Sequence, residues 1–189
     1  MVAFFSDFLL RRAAAAVHRG AIIAYPTEAV YGLGCNPLDQ KAVDRLLAIK
    51  GRSVTKGFIL IASDYHQLAT YVAPVQDDVW KRCLATWPGP ITWVLPARCD
   101  VPYWLRGVND TIAVRVTAHP LAAMLCCIVG HPLISTSANH TGKPPLRTML
   151  AVRRVLGNSV DFLMPGAPGG AARPTQIRDA MTGVVLRPG

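Results

Sequence analysis

The chain of 189 residues has few acidic side chains, and Glu28 is its single glutamate. Its 20 lysines and arginines outnumber 11 acidic residues, which leaves a formal net charge of +9. A surface with that charge attracts phosphate-bearing partners such as nucleotides or RNA. Arginine is the commoner cation, and its planar fork favours bidentate contacts with phosphate or carboxylate. The shortage of carboxylates argues against a protein-built cage for Mg²⁺.

Other absences narrow the class of protein further. The five cysteines lack metal-finger spacing and are odd in number, which indicates a reduced compartment, and we predict the cytoplasm. The histidines lack the spacing of a metal site. Asp7 interrupts the apolar start of the chain and two arginines follow it, the reverse of a secretory signal. No apolar run is long enough to span a membrane.

The usual nucleotide-binding glycine motifs are also absent. Neither a Walker glycine loop nor a Rossmann fingerprint occurs in the sequence, so the common nucleotide folds are excluded. A nucleotide site in this chain would therefore use cationic and hydroxyl side chains rather than a helix-terminal cradle.

Apolar periodicity predicts alternating helices and strands. Helices are predicted from a cap at Ser6 or Asp7 to Gly20, after Asp39, after Ser63 and Asp64, and over 79–87, 120–129 and 149–156. Strands are predicted over 21–24, 58–61, 91–95, 111–116, 133–135, 160–163 and 183–186. We therefore predict a single α/β domain over residues 1–189, with a mixed sheet flanked by helices. The late strands have no helix between them and are expected to pair antiparallel.

A run of small polar residues, Ser-Thr-Ser-Ala-Asn over 135–139, comes directly after an apolar segment. Hydroxyls and an amide at the end of a buried strand offer several hydrogen bonds with little bulk. This arrangement suits the close approach of a polar ligand. Local capping of the next segment is the alternative interpretation.

Several cations lie near predicted strands. Lys50, Arg52 and Lys56 fall in one loop, from which they could converge on phosphates; a solvated basic loop is the alternative. Thr111 and Arg115 are separated by an even step on a predicted strand, so both side chains lie on one face. An arginine there needs an anionic partner, either an internal aspartate in a structural ion pair or a ligand.

These segments, taken together and in this order, resemble the YrdC/Sua5 family. The similarity runs from about residue 21 to residue 189 and covers nearly the whole chain. It is carried by Pro26-Thr27-Glu28, Tyr31-Gly32, Lys50 with Arg52, Trp-Pro-Gly-Pro-Ile-Thr over 87–92, Ala-Val-Arg-Val over 113–116, and 135–139. The short bacterial branch of the family implies a YrdC-like α/β fold with a large basic cavity and without the additional C-terminal domain of the longer branch.

The resemblance implies an enzyme, a nucleotidyltransferase. Members form L-threonylcarbamoyladenylate from L-threonine, bicarbonate or CO₂, and ATP, and they release pyrophosphate. The product serves the N6-threonylcarbamoyl modification of adenosine 37 in tRNAs that read ANN codons. Mg²⁺ would be bound mainly through the ATP phosphates. The product would pass to the tRNA threonylcarbamoyl transferase complex, with direct RNA or tRNA binding left open and no membrane partner expected.

By position, the resemblance assigns two groups of residues. Nucleotide contacts fall to Lys50 on the phosphates, and to Arg52, Lys56, Thr111, Ser137, Asn139 and Arg187. Lys50 and Arg52 are the expected catalytic residues, because cations stabilise the transferring phosphate. The threonine and its carbamoyl group are expected among Thr27, Tyr31, Arg115, Ser135 and Thr175, with Arg115 on the carboxylate.

Three positions depart from the family's pattern. Ala29 stands where many relatives have a threonine, Ile61 where longer relatives have a histidine, and Pro145 where they have a serine. Ala29 and Ile61 are expected beside the amino-acid pocket. The glycine- and proline-rich loop 165–174 is the predicted lid, because the carbamate and its anhydride need protection from water.

Two other functions are compatible with the sequence. A non-catalytic protein that binds double-stranded RNA or takes part in ribosome maturation would also use the net charge of +9. That function would not require an ordered pocket of small polar residues, and no RRM, KH or dsRNA-binding signature occurs. A carbamoyl transferase acting on another acceptor would share the pocket.

Overall fold

Capping residues set where the helices begin and end in the computed structural model, which describes residues 6–189. Asp39 accepts a hydrogen bond from the backbone N–H of Ala42, and Gly51 ends the same helix in a left-handed conformation with φ 57°. His119 and Thr148 cap two later helices in the same way. The helices are α1 (Asp7–His18), α2 (Gln40–Lys50), α3 (His66–Ala69), α4 (Asp77–Leu84), α5 (Tyr103–Arg106), α6 (Pro120–Val129) and α7 (Met149–Leu156).

The apolar start of the chain, 1–5, on which the signal-sequence argument drew, lies outside the described residues. Among the helices of residues 6–189, none combines the length and the apolar character needed to cross a membrane. The five cysteines are free thiols, and Cys35, Cys83 and Cys126 are buried. These three behave as small apolar side chains in the packing.

The strands of the described residues form one mixed sheet, flanked by the helices as predicted. They are β1 (Ile23–Pro26), β2 (Tyr31–Gly34), β3 (Ile59–Ala62), β4 (Ile91–Pro96), β5 (Thr111–Val116), β6 (Leu133–Ser137), β7 (Phe162–Leu163), β8 (Gln176–Asp179) and β9 (Val185–Arg187). Their order across the sheet is β7-β1-β2-β6-β3-β5-β4-β8-β9. The pairs β7–β1, β3–β5 and β4–β8 are parallel, and the other pairs are antiparallel.

The antiparallel pairing predicted for the late strands, 160–163 and 183–186, is wrong, because β9 pairs antiparallel with β8, a strand that was not predicted. β7 pairs parallel with β1 at one edge of the sheet, and β8 pairs parallel with β4 near the other edge. The segment between β7 and β8 carries the chain across the sheet, so these strands are neighbours in sequence but not in space. The strand predicted over 160–163 is also shorter, because only Phe162 and Leu163 pair.

Sequence periodicity did not predict β2, β8 or the short α5. β2 reads Tyr-Gly-Leu-Gly, and glycine is depleted in strands. Here the glycines allow the neighbouring strand to approach. A Cβ at Gly34 would overlap the carbonyl oxygen of Ile134, and a Cβ at Gly32 would lie 3.0 Å from Cγ2 of Thr27. Gly34 thus permits the close approach of β6, and Gly32 leaves room for the side chain of Thr27.

Alternate residues of the strands point to opposite faces of the sheet and build a core on each face. On β3, Leu60 and Ala62 belong to one core, and Ile61 belongs to the other. The smaller core lies under α1 and α6, which pack against each other. The larger core takes buried side chains from α2, α4 and α7.

The sheet face under α1 and α6 continues beyond these helices as a cavity wall. On β5, Ile112 and Val114 point into the larger core, whereas Thr111, Ala113 and Arg115 line the cavity on the opposite face. The prediction that Thr111 and Arg115 share a face is confirmed. The sheet therefore supplies both a core and a binding surface from one strand.

Replacing Gly34 by alanine is expected to lower the free energy of unfolding by about 2–3 kcal/mol, because the new methyl group overlaps the β6 backbone. Gly130→Ala is the control, since nothing lies within 4 Å of its Cβ position and only its φ of 80° opposes the change. The control should lose about 1 kcal/mol. Urea unfolding followed by tryptophan fluorescence measures both, and equal losses would contradict the steric explanation.

Candidate functional site

A cavity of about 530 Å³ opens on the sheet face beyond α1 and α6. Its floor is formed by β3, β5 and β6, through Ile59, Ala113 and Ser135. Its walls come from the turn after β1, the loop after α2, and the last residues of the chain. Cavities of this size hold ligands of small-molecule dimensions.

The charged side chains that line the cavity, among the residues described, are all cations: Arg52, Lys56, Arg106, Arg115 and Arg187. Burial and the nearby Arg187 lower the pKa of Arg52, and burial and Arg115 lower the pKa of Arg187. Because guanidinium groups stay protonated in proteins, these shifts reflect desolvation and mutual repulsion. A bound anion would relieve the repulsion. The cavity is suited to a ligand with several negative charges.

The cationic loop 52–56 is fixed against α5 by two glycines. Gly57, at φ 57°, meets the backbone of Leu105, and Gly107, at φ 69°, meets the backbone of Thr55. A side chain at either position would collide with these backbone groups, so glycine is needed for the approach. The loop therefore forms a fixed wall of the cavity.

Arg52 is oriented by its own loop. Its Nη2 donates to the carbonyl oxygens of Gly57 at 2.8 Å and Lys56 at 3.3 Å. The guanidinium carbon lies 5.4 Å from the ring centroid of Phe58, a cation–π contact. Its Nε is buried and has no hydrogen-bond partner, and the residue lines the cavity.

Arg115 is buried and forms an ion pair with the one glutamate of the chain. Its Nη2 lies 3.2 Å from Oε2 of Glu28, and its Nη1 donates to the hydroxyls of Thr92 at 3.1 Å and Thr175 at 2.8 Å. Oε1 of Glu28 accepts a hydrogen bond from the hydroxyl of Thr117 at 2.6 Å. The sequence suggested an internal aspartate as one possible partner of Arg115, and the structure provides the glutamate Glu28 instead. Arg115 still lines the cavity, with its Nε unpaired.

The electrostatics of this pair follow from its surroundings. Burial by itself would raise the pKa of Glu28, but the charge of Arg115 and the hydrogen bond from Thr117 outweigh burial, and the pKa is lowered. Glu28 is therefore ionised at neutral pH and compensates the charge of Arg115.

The loop 165–174, predicted as a lid, is bonded to the turn between β1 and β2. The N–H of Gly169 donates to the carbonyl oxygen of Thr27 at 2.9 Å. The hydroxyl of Tyr31 donates to the carbonyl oxygen of Gly166 at 2.6 Å. The loop is thus docked beside the cavity, and its function as a lid stays a prediction.

Lys50 lies behind the cavity wall. The residue is only 3% exposed, and its ammonium contacts Asn139, 2.7 Å from the carbonyl oxygen and 2.6 Å from Oδ1. Burial and the nearby Arg52 lower the pKa of Lys50 to about 8. The contact of Lys50 with phosphates stays a prediction, and the residue is not among those that line the cavity.

Most of the residues assigned by the family resemblance meet at the cavity. Those that line it are Thr27, Arg52, Lys56, Thr111, Arg115, Ser135, Ser137, Thr175 and Arg187. Those that lie outside its lining are Tyr31, Lys50 and Asn139. The hydroxyl of Tyr31 faces the loop 165–174, and Asn139 binds Lys50. These three side chains therefore lie outside the cavity and form hydrogen bonds to residues of its wall and of the adjoining loop.

Sequence reasoning missed the contribution of α5 and the residues after it. Leu105, Arg106 and Asn109 line the cavity. A helix of one turn gives too little periodicity to detect, so no sequence pattern pointed to these residues.

Two of the positions that depart from the family's pattern lie at the cavity. Ala29 and Pro145 line it. Ile61 is the register partner of Arg115, but it is fully buried in the core under α1 and α6 and does not face the cavity. The two cavity positions can affect a ligand directly, whereas Ile61 can do so only through packing.

Protein ligands for a metal ion are scarce in this fold. Within residues 6–189, no group of three or more His, Cys, Asp and Glu side chains is placed to hold a metal ion. A divalent cation in the cavity would therefore need oxygen ligands from the bound anion and from water.

The mixed sheet and its cation-lined cavity define an α/β protein with a cavity suited to an anionic ligand. The Sua5/YciO/YrdC family model, described as "Telomere recombination", matches residues 15–189. The chain belongs to this family.

Relatives of the chain carry the name of an enzyme. The chain is 56% identical to the threonylcarbamoyl-AMP synthase of Nitrosococcus oceani over 181 residues, which are 96% of this chain and 98% of the relative. It is 52% identical to the protein of the same name from Coxiella burnetii over 171 residues, 90% of this chain and 92% of the relative.

Solved structures show the same fold. P. abyssi Sua5 complexed with L-threonine matches with a TM-score of 0.91 and 32% identity over 97% of this chain, which spans 55% of that longer chain. E. coli YciO matches with a TM-score of 0.83 and 30% identity over 97% of this chain and 90% of that chain. The family resemblance drawn from the sequence is confirmed.

Glu28→Gln is expected to lower the free energy of unfolding by about 3–5 kcal/mol, because it leaves Arg115 buried without a counter-ion. Urea unfolding at neutral pH measures the loss. The control is Asp7→Asn, which breaks the exposed ion pair of Asp7 with Arg11. It should hardly change the urea concentration at the midpoint of unfolding. Similar shifts in both variants would show that the buried pair is not a special source of stability.

The lowered pKa of Glu28 adds a pH dependence to this prediction. The stabilisation is complete above the unfolded-state value of about 4.3 and is lost as the pH falls through the lower folded-state pKa. The stability gap between wild type and Glu28→Gln should therefore shrink as the solution is acidified. A gap that stays constant down to full protonation would mean that Glu28 does not act through its charge.

Proposed function

We propose that the chain is a threonylcarbamoyl-AMP synthase, which forms L-threonylcarbamoyladenylate and pyrophosphate from L-threonine, CO₂ or bicarbonate, and ATP. The observation that carries the proposal is the cavity, where cations of the loop 52–56 and of the chain's end face hydroxyls of β5 and β6. Relatives with this name are 52–56% identical over most of their length. Non-catalytic RNA binding is not favoured, because a basic RNA-binding surface needs no such cavity lined with hydroxyls.

The reaction needs no protein nucleophile. The neutral amine of threonine adds to CO₂ and loses a proton, which gives a carbamate. A carbamate oxygen then attacks the α-phosphorus of ATP, the bond from that phosphorus to the bridging oxygen breaks, and pyrophosphate leaves with the electron pair. The task of the chain is in-line positioning and stabilisation of negative charge on the phosphates.

Cavity cations and hydroxyls bind the nucleotide in this proposal. Arg52, Lys56 and Arg187 supply positive charge to the phosphates, and Thr111 and Ser137 supply hydroxyls. Arg52 is the catalytic residue among them, since its guanidinium lines the cavity and suits a charge-assisted bond to a phosphate oxygen. ATP enters as its magnesium complex, with Mg²⁺ held mainly by phosphate oxygens and water.

The amino acid binds at the Arg115 end of the cavity. The guanidinium of Arg115, which lines the cavity, donates to the threonine carboxylate in a charge-assisted hydrogen bond. Thr27, Ser135 and Thr175, which line the cavity around it, surround the side chain and the carbamoyl group. Tyr31 contributes indirectly, by holding the loop 165–174 in place.

The product determines the partners that follow. A carbamoyl adenylate is a mixed anhydride that water destroys, so the loop 165–174 shields it and a second protein must receive it directly. We assign this step to the tRNA threonylcarbamoyl transferase complex, which modifies adenosine 37 of tRNA. The cytoplasm, where tRNA is modified, is the proposed location.

Incubation with ATP, threonine and bicarbonate should release pyrophosphate, and omission of any one substrate should abolish the release. Coupled detection of phosphate after pyrophosphatase treatment measures it. Serine in place of threonine should give little product, whereas a carbamoyl transferase for another acceptor would tolerate the change. Pyrophosphate release that continues when threonine is omitted would overturn the proposal. RNA binding without any pyrophosphate release would support the non-catalytic alternative.

Arg52→Ala is expected to lower turnover by about 10²-fold, because a cation beside the phosphates is lost. Arg115→Lys should instead raise the KM for threonine by about tenfold, since it keeps the charge next to Glu28 but loses the fork. Steady-state kinetics at varied threonine measure both. Arg154→Ala, which removes an exposed cation of α7, is the matched control and should leave both constants unchanged. An unchanged KM in Arg115→Lys would remove Arg115 from the amino-acid site.

A further inference from the structure

Oxygen atoms of Ser137, at the end of β6, and of Asn139 surround the Lys50 ammonium, including the hydroxyl of Ser137 at 3.5 Å. Nζ lies 2.5 Å from the carbonyl oxygen of Ser137, 2.7 Å from the carbonyl oxygen of Asn139 and 2.6 Å from Oδ1 of Asn139. An ammonium has three donors. A phosphate could bond to Lys50 only if one of these hydrogen bonds were broken.

We propose that Lys50 is a positioning residue, which holds the turn 137–143 in the shape that presents Ser137 to the nucleotide. Ser137 lines the cavity, and Lys50 does not. The inference rests on the proposed function, because it assigns to Lys50 a part in nucleotide binding that acts through Ser137.

The side chain of Asn139 extends the network. Its Oδ1 accepts from Lys50 and also from the hydroxyl of Ser137 at 2.6 Å, and its Nδ2 donates to the carbonyl oxygen of Lys143. Loss of the ammonium would leave the carbonyl oxygens of Ser137 and Asn139 without a donor in a buried setting, which is costly. The turn would then rearrange, and the Ser137 hydroxyl would lose its fixed direction.

Lys50 also couples two walls of the cavity. It is the last residue of α2, and Arg52 follows after a single glycine. The carbonyl oxygen of Lys50 accepts from the N–H of Thr141 at 2.8 Å. The side chain of Lys50 thus donates to the turn 137–143, and its carbonyl oxygen accepts from the same turn. The position of the cavity wall that carries Arg52 is therefore tied to the position of the wall that carries Ser137.

A double-mutant cycle on ATP affinity separates positioning from direct contact. If Lys50 acts through Ser137, then Lys50→Met and Ser137→Ala should each weaken binding by about tenfold, and the double variant should also lose about tenfold. If Lys50 contacts a phosphate independently, the double variant should lose about 100-fold, the product of the single losses. Isothermal titration calorimetry measures the affinity, and its stoichiometry reports the folded fraction separately.

Arg52→Ala provides the comparison in the same cycle. Arg52 lines the cavity itself, so the loss of ATP affinity in Arg52→Ala should multiply with the loss in Ser137→Ala. A cycle in which Lys50→Met behaves like Arg52→Ala would overturn the proposal.

Lys50→Arg keeps the charge and serves if Lys50→Met fails to fold. A direct phosphate contact would be restored by arginine, which binds phosphate well. A planar guanidinium has no nitrogen with three hydrogens to donate to the three converging oxygens. We therefore expect Lys50→Arg to lose about tenfold in ATP affinity, as Lys50→Met does. Wild-type affinity in Lys50→Arg would overturn the proposal.

Hydrogen exchange without nucleotide tests the turn itself. The N–H of Thr141, bonded to the Lys50 carbonyl, and the N–H of Lys143 should exchange about tenfold faster in Lys50→Met and at the wild-type rate in Arg52→Ala. Unchanged exchange in Lys50→Met would overturn the proposal. A wild-type chain that binds no ATP would instead overturn the proposed function and this inference with it, so the two failures are distinguishable.

Discussion

The buried ion pair between Glu28 and Arg115 is the interaction on which the site depends. It joins the turn after β1 to the central strand β5, and the hydroxyls of Thr117 and Thr175 complete it. An unpaired arginine in the middle of a sheet would be strongly destabilising. With its charge compensated and its Nη atoms held, Arg115 stays in place and still lines the cavity.

The cations Arg52, Lys56 and Arg187 are held differently. Burial and the repulsion of neighbouring cations lower the pKa values of Arg52 and Arg187, and the cavity lining of the described residues contains no carboxylate to offset their charge. The charge of Arg115 is thus compensated by Glu28, whereas the loop 52–56 and Arg187 favour an anion. This asymmetry fits a small amino acid beside Arg115 and a polyphosphate beside the loop 52–56.

Two layers of residues build the site. The inner layer lines the cavity, and the outer layer, with Tyr31, Lys50 and Asn139, fixes the backbone of the walls from behind. Such a second layer restricts where the inner side chains point, which a transfer between two bound substrates requires. A residue of the outer layer can therefore be as necessary to the reaction as one that touches the substrate.

The sequence by itself determined the α/β class, the bounds of β5, α6 and α7, and the family, because periodicity, caps and short motifs are local. It did not determine β2, whose glycines serve the contact with β6, nor the partner of Arg115, which lies 87 positions away. Lys50 and Arg52 are two residues apart, yet the first is behind the wall and the second lines the cavity. Only the tertiary structure decided that, because strand pairing and the left-handed turn at Gly51 set which oxygens surround each cation.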